Sequence, residues 1–317
     1  MLIKILNIPS FYSNYYLLGF SNEFKIKYQL DSRFVKYNNK PVLVFEVENL
    51  IGIIDNDDPS DIVQELYGIC NIYFVTNKLK VAPSYQQEKV RPLFPHYPVN
   101  ILSLYFGLFG INLFRHIKVK ELIRQVYIQL RRPVYENKRV KQITNKFVFF
   151  SSNIWKKEPY ANTIRAEFIR FCKKDSRIKF EGGFVSRSDG NNLGFDDLTN
   201  NVVYSPKTFS RLSASSFVVL NNPAVCGAVS WRLAEYLNQG LFVLSFPFEV
   251  HLPVAFVHQE NIHFIEVAKE YQEVFDKLLN DTEYHDKIAS SGKQYFDKWC
   301  TPSAQADYIV RELSNAK

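Results

Sequence analysis

Short apolar segments with the pattern of β-strands alternate with amphipathic helical segments along most of this chain. In the first half, residues 24–30 read FKIKYQL, which is the period-two pattern of a half-buried strand. In the second half, the apolar run FVFFSS at 147–152 precedes an amphipathic helical pattern over 163–174. Strands that alternate with helices are typical of an α/β fold in which helices cover a mostly parallel sheet. The sequence therefore predicts an α/β protein.

A polar stretch divides this alternation into two halves. Residues 135–145 read YENKRVKQITN and are rich in polar and charged side chains, as a domain linker should be. The length of 317 residues also suggests two domains, at about 150 residues for each. We therefore predict two Rossmann-like α/β domains, at 1–135 and 145–317, that face a cleft. A ligand would bind in that cleft, at the carboxyl ends of the strands.

The chain carries a formal net charge of +7, and one segment accounts for all of it. Residues 115–141 contain nine lysines or arginines and two glutamates, so the rest of the chain is balanced. A protein that coats nucleic acid spreads its positive charge over a wider face, so we expect no nucleic-acid partner. The pattern favours a local basic patch that binds a specific anionic partner.

An apolar run, ILSLYFGLFGINLF at 101–114, comes directly before this basic segment. Apolar side chains followed by many cations are the arrangement of an interfacial membrane anchor, which would bring residues 101–141 against an anionic membrane surface. Two alternatives remain open: a buried helix followed by a solvated basic face, and a patch that holds an acidic polysaccharide or a phosphate-bearing acceptor. At 14 residues the run is too short to span a bilayer.

Two further features bear on where the protein works. The first residues, MLIKILNIPSFY, lack the apolar core and the cleavage site of a signal peptide. The four cysteines are far apart and include no C-x-x-C pair, which fits reduced thiols better than a zinc site or a disulfide framework. We expect a cytoplasmic protein, either soluble or peripheral at the membrane.

A strand, a loop of small residues and a helix start follow one another between residues 217 and 238. The helix begins near Ser230, and the free N–H groups of its first turn favour an anion. Arg232 lies in that turn, where a cation is unfavourable unless something negative binds beside it. Glu235 lies one turn further on the same face, where its carboxylate could accept bonds from two ribose hydroxyls. The group suits a nucleoside diphosphate, and the alternative is a surface ion pair between Arg232 and Glu235.

Together with the segments upstream, this pattern resembles the donor-binding half of the two-domain GT-B glycosyltransferases. The resemblance rests on FVFFSSN, NTIRAEFIRFC and S-x-R-L-x-E-x-L-x-x-G, and it is closest to the exostosin-like and alpha-1,3-fucosyltransferase-like groups. It covers roughly residues 146–310. It implies transfer of a sugar from a nucleotide-sugar to a glycan acceptor, lipid-linked in many such reactions, during synthesis of a surface polysaccharide or glycoconjugate.

The resemblance also implies roles for individual residues. Ser152 and Asn153 match a strand end of the family, and Arg165 matches an arginine that binds the nucleotide diphosphate. Arg232 falls on a lysine of the family, with Ser230 at the threonine two residues before it. Inversion of configuration is implied, with the nucleotide-sugar as substrate and with no essential metal or cofactor.

The chain departs from the family pattern at one strand end. Asn221 or Asn222 stands where the family has a glutamate, and this leaves the base and the sugar of the donor open. With Glu235 from the helix argument, the predicted donor-binding residues are Ser152, Asn153, Arg165, Asn221, Ser230, Arg232 and Glu235.

An inverting transfer needs a base for the acceptor hydroxyl, and a carboxylate of the first domain would serve. The acidic cluster Asp55, Asp57 and Asp58 follows a predicted strand and is our candidate. A turn with a helix cap is the alternative, because Asp, Asn and Pro are turn residues. The segment also resembles the Asp-x-Asp of metal-dependent GT-A glycosyltransferases, in which Asp55 and Asp57 would bind Mg²⁺ or Mn²⁺. A nucleotide- or sugar-binding protein without catalysis is a further alternative.

Overall fold

The computed structural model, which describes residues 1–58, 61–139 and 145–316, contains two α/β units. Unit 1 comprises Met1–Asn137, Glu249–Ala255 and Asp297–Lys317, and unit 2 comprises Lys138–Phe248 and Phe256–Phe296. The predicted α/β class is confirmed, because both units combine helices with parallel strands. The predicted linker and the end of the basic segment fall partly on residues 140–144, which lie outside the described residues.

The elements are numbered in chain order. The strands are β1 (Leu2–Ile5), β2 (Lys25–Tyr28), β3 (Val42–Val47), β4 (Leu50–Asp55), β5 (Ile72–Val75), β6 (Lys78–Leu79), β7 (Val90–Pro92), β8 (Phe147–Asn153), β9 (Lys179–Val185), β10 (Thr199–Asn200), β11 (Val219–Asn221), β12 (Val243–Ser245), β13 (Val250–His251) and β14 (His263–Phe264). The α-helices are α1 (Asn14–Glu23), α2 (Gln64–Ile69), α3 (Leu102–Phe109), α4 (Asn112–His116), α5 (Val119–Leu130), α6 (Pro159–Lys174), α7 (Pro206–Ser213), α8 (Trp231–Asn238), α9 (Glu270–Asn280), α10 (Thr282–Tyr295) and α11 (Pro302–Ser314).

The main sheet of unit 1 is mixed, whereas the sequence predicts a parallel one. Its order is β2-β1-β3-β4-β5-β7, and β3 runs antiparallel to both β1 and β4 while the other neighbours are parallel. The cause is the two-residue connection Glu48–Asn49 between β3 and β4. Both residues have positive φ, 49° and 70°, as in a type I′ hairpin turn. A connection this short joins only antiparallel strands.

The last helix of the chain belongs to unit 1, although the sequence predicts one domain over 145–317. Helix α11 packs along α1, and Gly19 allows the approach because a Cβ there would overlap the carbonyl oxygen of Pro302. The Tyr15 hydroxyl also donates a hydrogen bond of 2.6 Å to the carbonyl oxygen of Cys300. Local sequence patterns carry no signal for a helix pair so far apart in the chain, so the prediction stops at the visible linker.

Unit 2 contains two parallel three-stranded sheets, with the orders β10-β9-β8 and β11-β12-β14. Its core is built from apolar side chains of β8, α6, β11, β12 and α9, and it includes Phe150, Phe168, Leu220, Leu244 and Phe275. This burial fixes the strand positions, and the polar residues that follow the apolar runs then lie at the carboxyl ends of the strands. Among the residues that the structure describes, every helix is too short or too polar to cross a bilayer.

Candidate functional site

Arg165 of α6 is a buried arginine that bonds to the end of β8. Its side chain is only 2% exposed, and its Nη1 donates a hydrogen bond of 3.1 Å to the carbonyl oxygen of Asn153. Its Nε is buried without a hydrogen-bond partner among the described residues. Burial and the nearby charge of Arg232 lower the pKa of Arg165 to about 9, whereas Glu158 acts in the opposite direction. Arg165 thus carries a buried positive charge, and its Nε has no hydrogen-bond partner within the described residues.

Arg232 reaches the same strand from helix α8. Its Nη1 donates a hydrogen bond of 2.9 Å to the carbonyl oxygen of Ser151. Residues 151 and 153 are two apart, so their carbonyl groups point to the same edge of β8. On that edge the carbonyl oxygen of Phe147 accepts from the N–H of Phe217, which leads into β11. The two arginines therefore bind the edge of β8 that faces β11.

The start of α8 adds positive potential beside these two side chains. Ser230 is the N-cap of the helix, and its Oγ accepts a hydrogen bond of 3.3 Å from the N–H of Arg232. The remaining N–H groups of the first turn and the helix dipole both favour an anion. Two guanidinium groups and a helix start thus converge at one strand end. This arrangement suits a diphosphate, whose charge needs several donors.

The predicted polar residues at the strand ends have different surroundings. Ser152 is buried, and Asn153 is exposed at the end of β8. Asn221 is buried at the end of β11, where its Nδ2 donates a hydrogen bond of 2.9 Å to Ser245 Oγ. The Oδ1 of Asn221 is buried without a hydrogen-bond partner among the described residues. Asn221 therefore ties β11 to β12, and its role in donor binding stays a prediction.

Glu235 bonds away from Arg232. Its Oε1 accepts a hydrogen bond of 2.8 Å from Ser210 Oγ and one of 3.5 Å from Gln239 Nε2. The surface ion pair that the spacing allows is thus replaced, in the described part of the chain, by a bond between α8 and α7. The side chain is half-buried, and its role as a ribose ligand stays a prediction.

Three residues that the sequence did not indicate complete the surroundings of the two arginines. The Cζ of Arg165 lies 3.7 Å from the ring centre of Trp155, and that of Arg232 lies 4.4 Å from the ring centre of Phe209. Such contacts support a cation that lacks an acidic partner. Glu158 Oε1 accepts a hydrogen bond of 3.0 Å from the N–H of Cys226, in the loop before α8. Only Glu158 had a signal in the sequence, since Pro159 after it marks a helix start.

A cavity of about 520 Å³ lies elsewhere in unit 2. Its walls include His258, His263, Glu270 and Lys277, and they include none of the predicted donor-binding residues. The candidate donor site is therefore defined by hydrogen bonds and charge at the end of β8, and not by this cavity.

The predicted catalytic carboxylates lie in unit 1, at and after the end of β4. Asp55 is buried, and its Oδ2 accepts a hydrogen bond of 2.5 Å from the Tyr73 hydroxyl. Its Oδ1 accepts from the N–H of Asp57 at 3.0 Å, which is an Asx turn. Burial raises the pKa of Asp55 to about 6, and the bond from Tyr73 opposes that shift. Asp57 and Asp58 are exposed residues. Partial desolvation of the Asp58 carboxyl and the negative charge of Asp57 both raise the pKa of Asp58.

The metal-binding alternative needs carboxylates that share one open site. Both oxygens of Asp55 accept hydrogen bonds within unit 1, which makes Asp55 a poor ligand in this conformation. No group of three or more His, Cys, Asp or Glu side chains that could hold a metal ion is found within residues 1–58, 61–139 and 145–316.

No protein-family model and no curated protein matches this sequence. Among solved structures, the C-terminal domain of the glycosyl transferase group 1 family protein LpcC from Francisella tularensis is 18% identical, with a TM-score of 0.32 over 49% of this chain and 85% of that one. HepE from Anabaena in complex with UDP-glucose is 10% identical, with a TM-score of 0.45 over 79% of this chain and 66% of that one. The UDP-GlcNAc 2-epimerase from Neisseria meningitidis bound to UDP-GlcNAc is 12% identical, with a TM-score of 0.45 over 98% of this chain and 100% of that one. This chain thus spans just under two thirds of the length of HepE.

Proposed function

We propose that this chain is a glycosyltransferase that moves a sugar from a nucleotide-sugar donor to a glycan acceptor, with the donor bound by unit 2. The observation that carries the proposal is the pair Arg165 and Arg232, which bond to carbonyl oxygens of one strand and to no carboxylate among the described residues. Their positions also match the diphosphate-binding residues implied by the family resemblance. The exostosin-like and fucosyltransferase-like subgroup is part of this proposal.

The leaving group explains why cations are needed there. When the bond between the sugar and the diphosphate breaks, negative charge accumulates on the diphosphate oxygens, and fixed donors aimed at them lower the barrier. Arg165, Arg232 and the N–H groups at the start of α8 would supply those donors. Because arginine remains charged and binds phosphate through two N–H groups at once, the pair could do this without a divalent cation. Metal-independent transfer is therefore part of the proposal.

The base that completes an inverting reaction is assigned to unit 1. Burial raises the pKa of Asp55 to about 6, so at neutral pH most of it is ionised, and it could take a proton from an acceptor hydroxyl once the bond from Tyr73 opens. Asp57 and Asp58 follow it directly and are exposed, and they remain candidates for the same role. We assign acceptor binding to unit 1 for the same reason, with a surface glycan, free or lipid-linked, as the acceptor.

Nucleotide binding tests the donor site directly. Thermal-shift screening against UDP, GDP, CMP and dTDP should reveal one that stabilises the protein, because a ligand bound only by the native state raises its melting temperature. Isothermal titration with that nucleotide should then show affinity at least about tenfold weaker in Arg232→Ala, since one charge-assisted hydrogen-bond donor is lost. Arg211→Ala on neighbouring α7 is the matched control, because Arg211 is exposed.

Unchanged affinity in both Arg232→Ala and Arg165→Lys would refute the donor site. Turnover separates the enzyme from a binding protein: release of the nucleoside diphosphate from the matching nucleotide-sugar, stimulated by an acceptor glycan, supports transfer. Tight binding without release or transfer over a panel of donors would favour the non-catalytic alternative.

A further inference from the structure

Helix α5 in unit 1 turns a mostly polar face towards the protein. Its buried residues are Leu122, Gln125 and Gln129. The Oε1 of Gln125 accepts a hydrogen bond of 2.9 Å from the N–H of Phe11, and the Nε2 of Gln125 donates one of 2.6 Å to Asn39 Oδ1. These hydrogen bonds therefore fix the rotation of α5 about its axis, so that its other faces are exposed to solvent.

The apolar residues of α5 lie on one of those outer faces. Val119, Ile123, Tyr127 and Leu130 are between 57% and 64% exposed. They are spaced by four, four and three residues, so at about 100° per residue they form a single stripe along the helix. A surface helix of a globular protein normally turns such a stripe inwards, and an exposed one marks a surface that binds something.

A cationic stripe runs beside the apolar one. Lys120, Arg124 and Arg131 are exposed and follow Val119, Ile123 and Leu130 by one residue each, which puts them about 100° further round the helix. Nη1 of Arg124 lies 3.8 Å from Oε2 of Glu121 in a loose, exposed ion pair. Nη1 of Arg131 donates a hydrogen bond of 2.6 Å to the Tyr127 hydroxyl. Within the described residues Lys120 has no ion pair. The outer half of α5 is thus apolar on one side and positive on the other.

The helices before α5 extend this surface. Within the apolar run 101–114, Tyr105, Phe109 and Leu113 are buried in unit 1. Ile111 and Phe114 are 60% and 59% exposed, and helix α4 packs against α5. Exposed apolar side chains therefore lie both in this run and in the basic segment, where α5 carries the longer apolar stripe.

We propose that the α4–α5 surface, formed by Ile111, Phe114, the apolar stripe and the cationic stripe, docks unit 1 onto an anionic lipid bilayer. A helix that lies in the headgroup region needs both features: apolar side chains for the acyl boundary and adjacent cations for the anionic headgroups. An acidic polysaccharide would use the cations but would leave the six exposed apolar side chains of this surface in water. A second copy of this chain would bring like-charged stripes together.

Vesicle sedimentation with the full-length chain tests this surface and does not depend on the donor site. Vesicles of about one part phosphatidylglycerol to two parts phosphatidylcholine should bind the protein, and vesicles of phosphatidylcholine alone should bind it at least about tenfold more weakly. The double variants Ile123→Ser with Leu130→Ser and Lys120→Glu with Arg124→Glu should each weaken binding to the anionic vesicles by about tenfold or more.

Matched variants elsewhere on unit 1 control for general changes in polarity and charge. Ile69→Ser with Val81→Ser removes two exposed apolar side chains, and Lys25→Glu with Lys27→Glu reverses two exposed cations. Both should bind vesicles like the wild type, and the thermal midpoints of all variants check that they fold. Equal binding to neutral and anionic vesicles would overturn the proposal. So would a protein that binds dextran sulfate and loses vesicle binding only in the charge variant. A concentration-dependent dimer that Ile123→Ser with Leu130→Ser abolishes would also overturn it.

Discussion

Arg165 and Arg232 donate hydrogen bonds to carbonyl oxygens two residues apart on β8, those of Asn153 and Ser151. Arg232 lies close enough to disfavour the charge of Arg165, because it contributes to the lowered pKa of Arg165. Ligand-free protein therefore carries an electrostatic cost at this strand end, and a bound anion would relieve it.

Replacing Arg165 by methionine should separate stability from binding. Methionine fills a similar volume beside Trp155 but brings no charge, so we expect the free energy of unfolding without nucleotide to stay the same or to rise by about 1 kcal/mol. The stabilisation by nucleotide should disappear. Urea denaturation with and without the nucleotide measures both quantities. Arg170→Met, an exposed position of the same helix, should change neither. A marked loss of stability would show that Arg165 is instead a structural residue of unit 2.

If Asp55 is the base, the rate should follow its ionisation. Because burial raises its pKa to about 6, kcat/KM should rise with pH up to about 6 and level off above it. Asp55→Asn should lower kcat/KM by about a hundredfold or more and abolish that limb. Tyr73→Phe should move the limb to higher pH, since the Tyr73 bond favours the ionised carboxylate. A wild-type limb that survives in Asp55→Asn would transfer the role to Asp57 or Asp58.

The same carboxyl should make stability depend on pH. The folded-state pKa of Asp55 lies above its ordinary value of 3.8, so its contribution to stability is complete below that value and is lost as pH rises through about 6. A shift from 3.8 to about 6 corresponds to about 3 kcal/mol. Relative to wild type, Asp55→Asn should therefore gain about 2 kcal/mol in the free energy of unfolding between pH about 4 and pH about 7, since part of the effect already lies below pH about 4. Chemical denaturation at both pH values measures this, and an equal difference at the two would contradict the burial effect.

The contact between α1 and α11 should be sensitive to a single methyl group. Gly19→Ala would bring a Cβ into the carbonyl oxygen of Pro302, and we expect a loss of about 2–3 kcal/mol in the free energy of unfolding. Gly68→Ala in α2 is the control, because no atom lies within 4 Å of the added Cβ. That variant should be neutral or gain up to about 1 kcal/mol. Similar values for the two variants would mean that α11 does not pack closely on α1.

Metal dependence distinguishes the two ways of holding the donor. We expect transfer to proceed at an unchanged rate after addition of excess EDTA, because arginines and a helix start take the role of a cation in this proposal. Loss of activity with EDTA and its recovery on adding Mg²⁺ or Mn²⁺ would support the alternative that uses Asp55 and Asp57.

The sequence predicts secondary structure well where a single physical signal dominates. The run FVFFSSN forms β8, and α8 begins at Trp231, next to the start near Ser230 that the sequence predicts. The direction of β3 was missed, because the left-handed turn at Glu48–Asn49 contains neither glycine nor proline. Helix α11 was assigned to the wrong half, because its partner α1 lies at the opposite end of the chain.

At the candidate site, residue identity was easier to predict than residue contact. Arg165 and Arg232 could be singled out, since a family pattern and an unfavourable helix position both drew attention to them. The sequence could not show that both side chains bond to the same edge of β8, because that depends on how two helices are rotated relative to the strand. For Glu235 the spacing allowed a bond to Arg232, yet Ser210 of α7 competes successfully for its carboxylate. Aromatic contacts such as Trp155 under Arg165 leave no periodic trace in a sequence.

The membership of Asp297–Lys317 in unit 1 has a consequence for synthesis on the ribosome. The ribosome translates every residue of unit 2 before it translates α11, so α1 has no partner helix throughout the synthesis of unit 2. Unit 1 includes α1, which cannot pack against α11 until residues Pro302–Ser314 have been translated. Domains generally fold as units during synthesis, and in unit 1 that unit is complete only when α11 has joined α1.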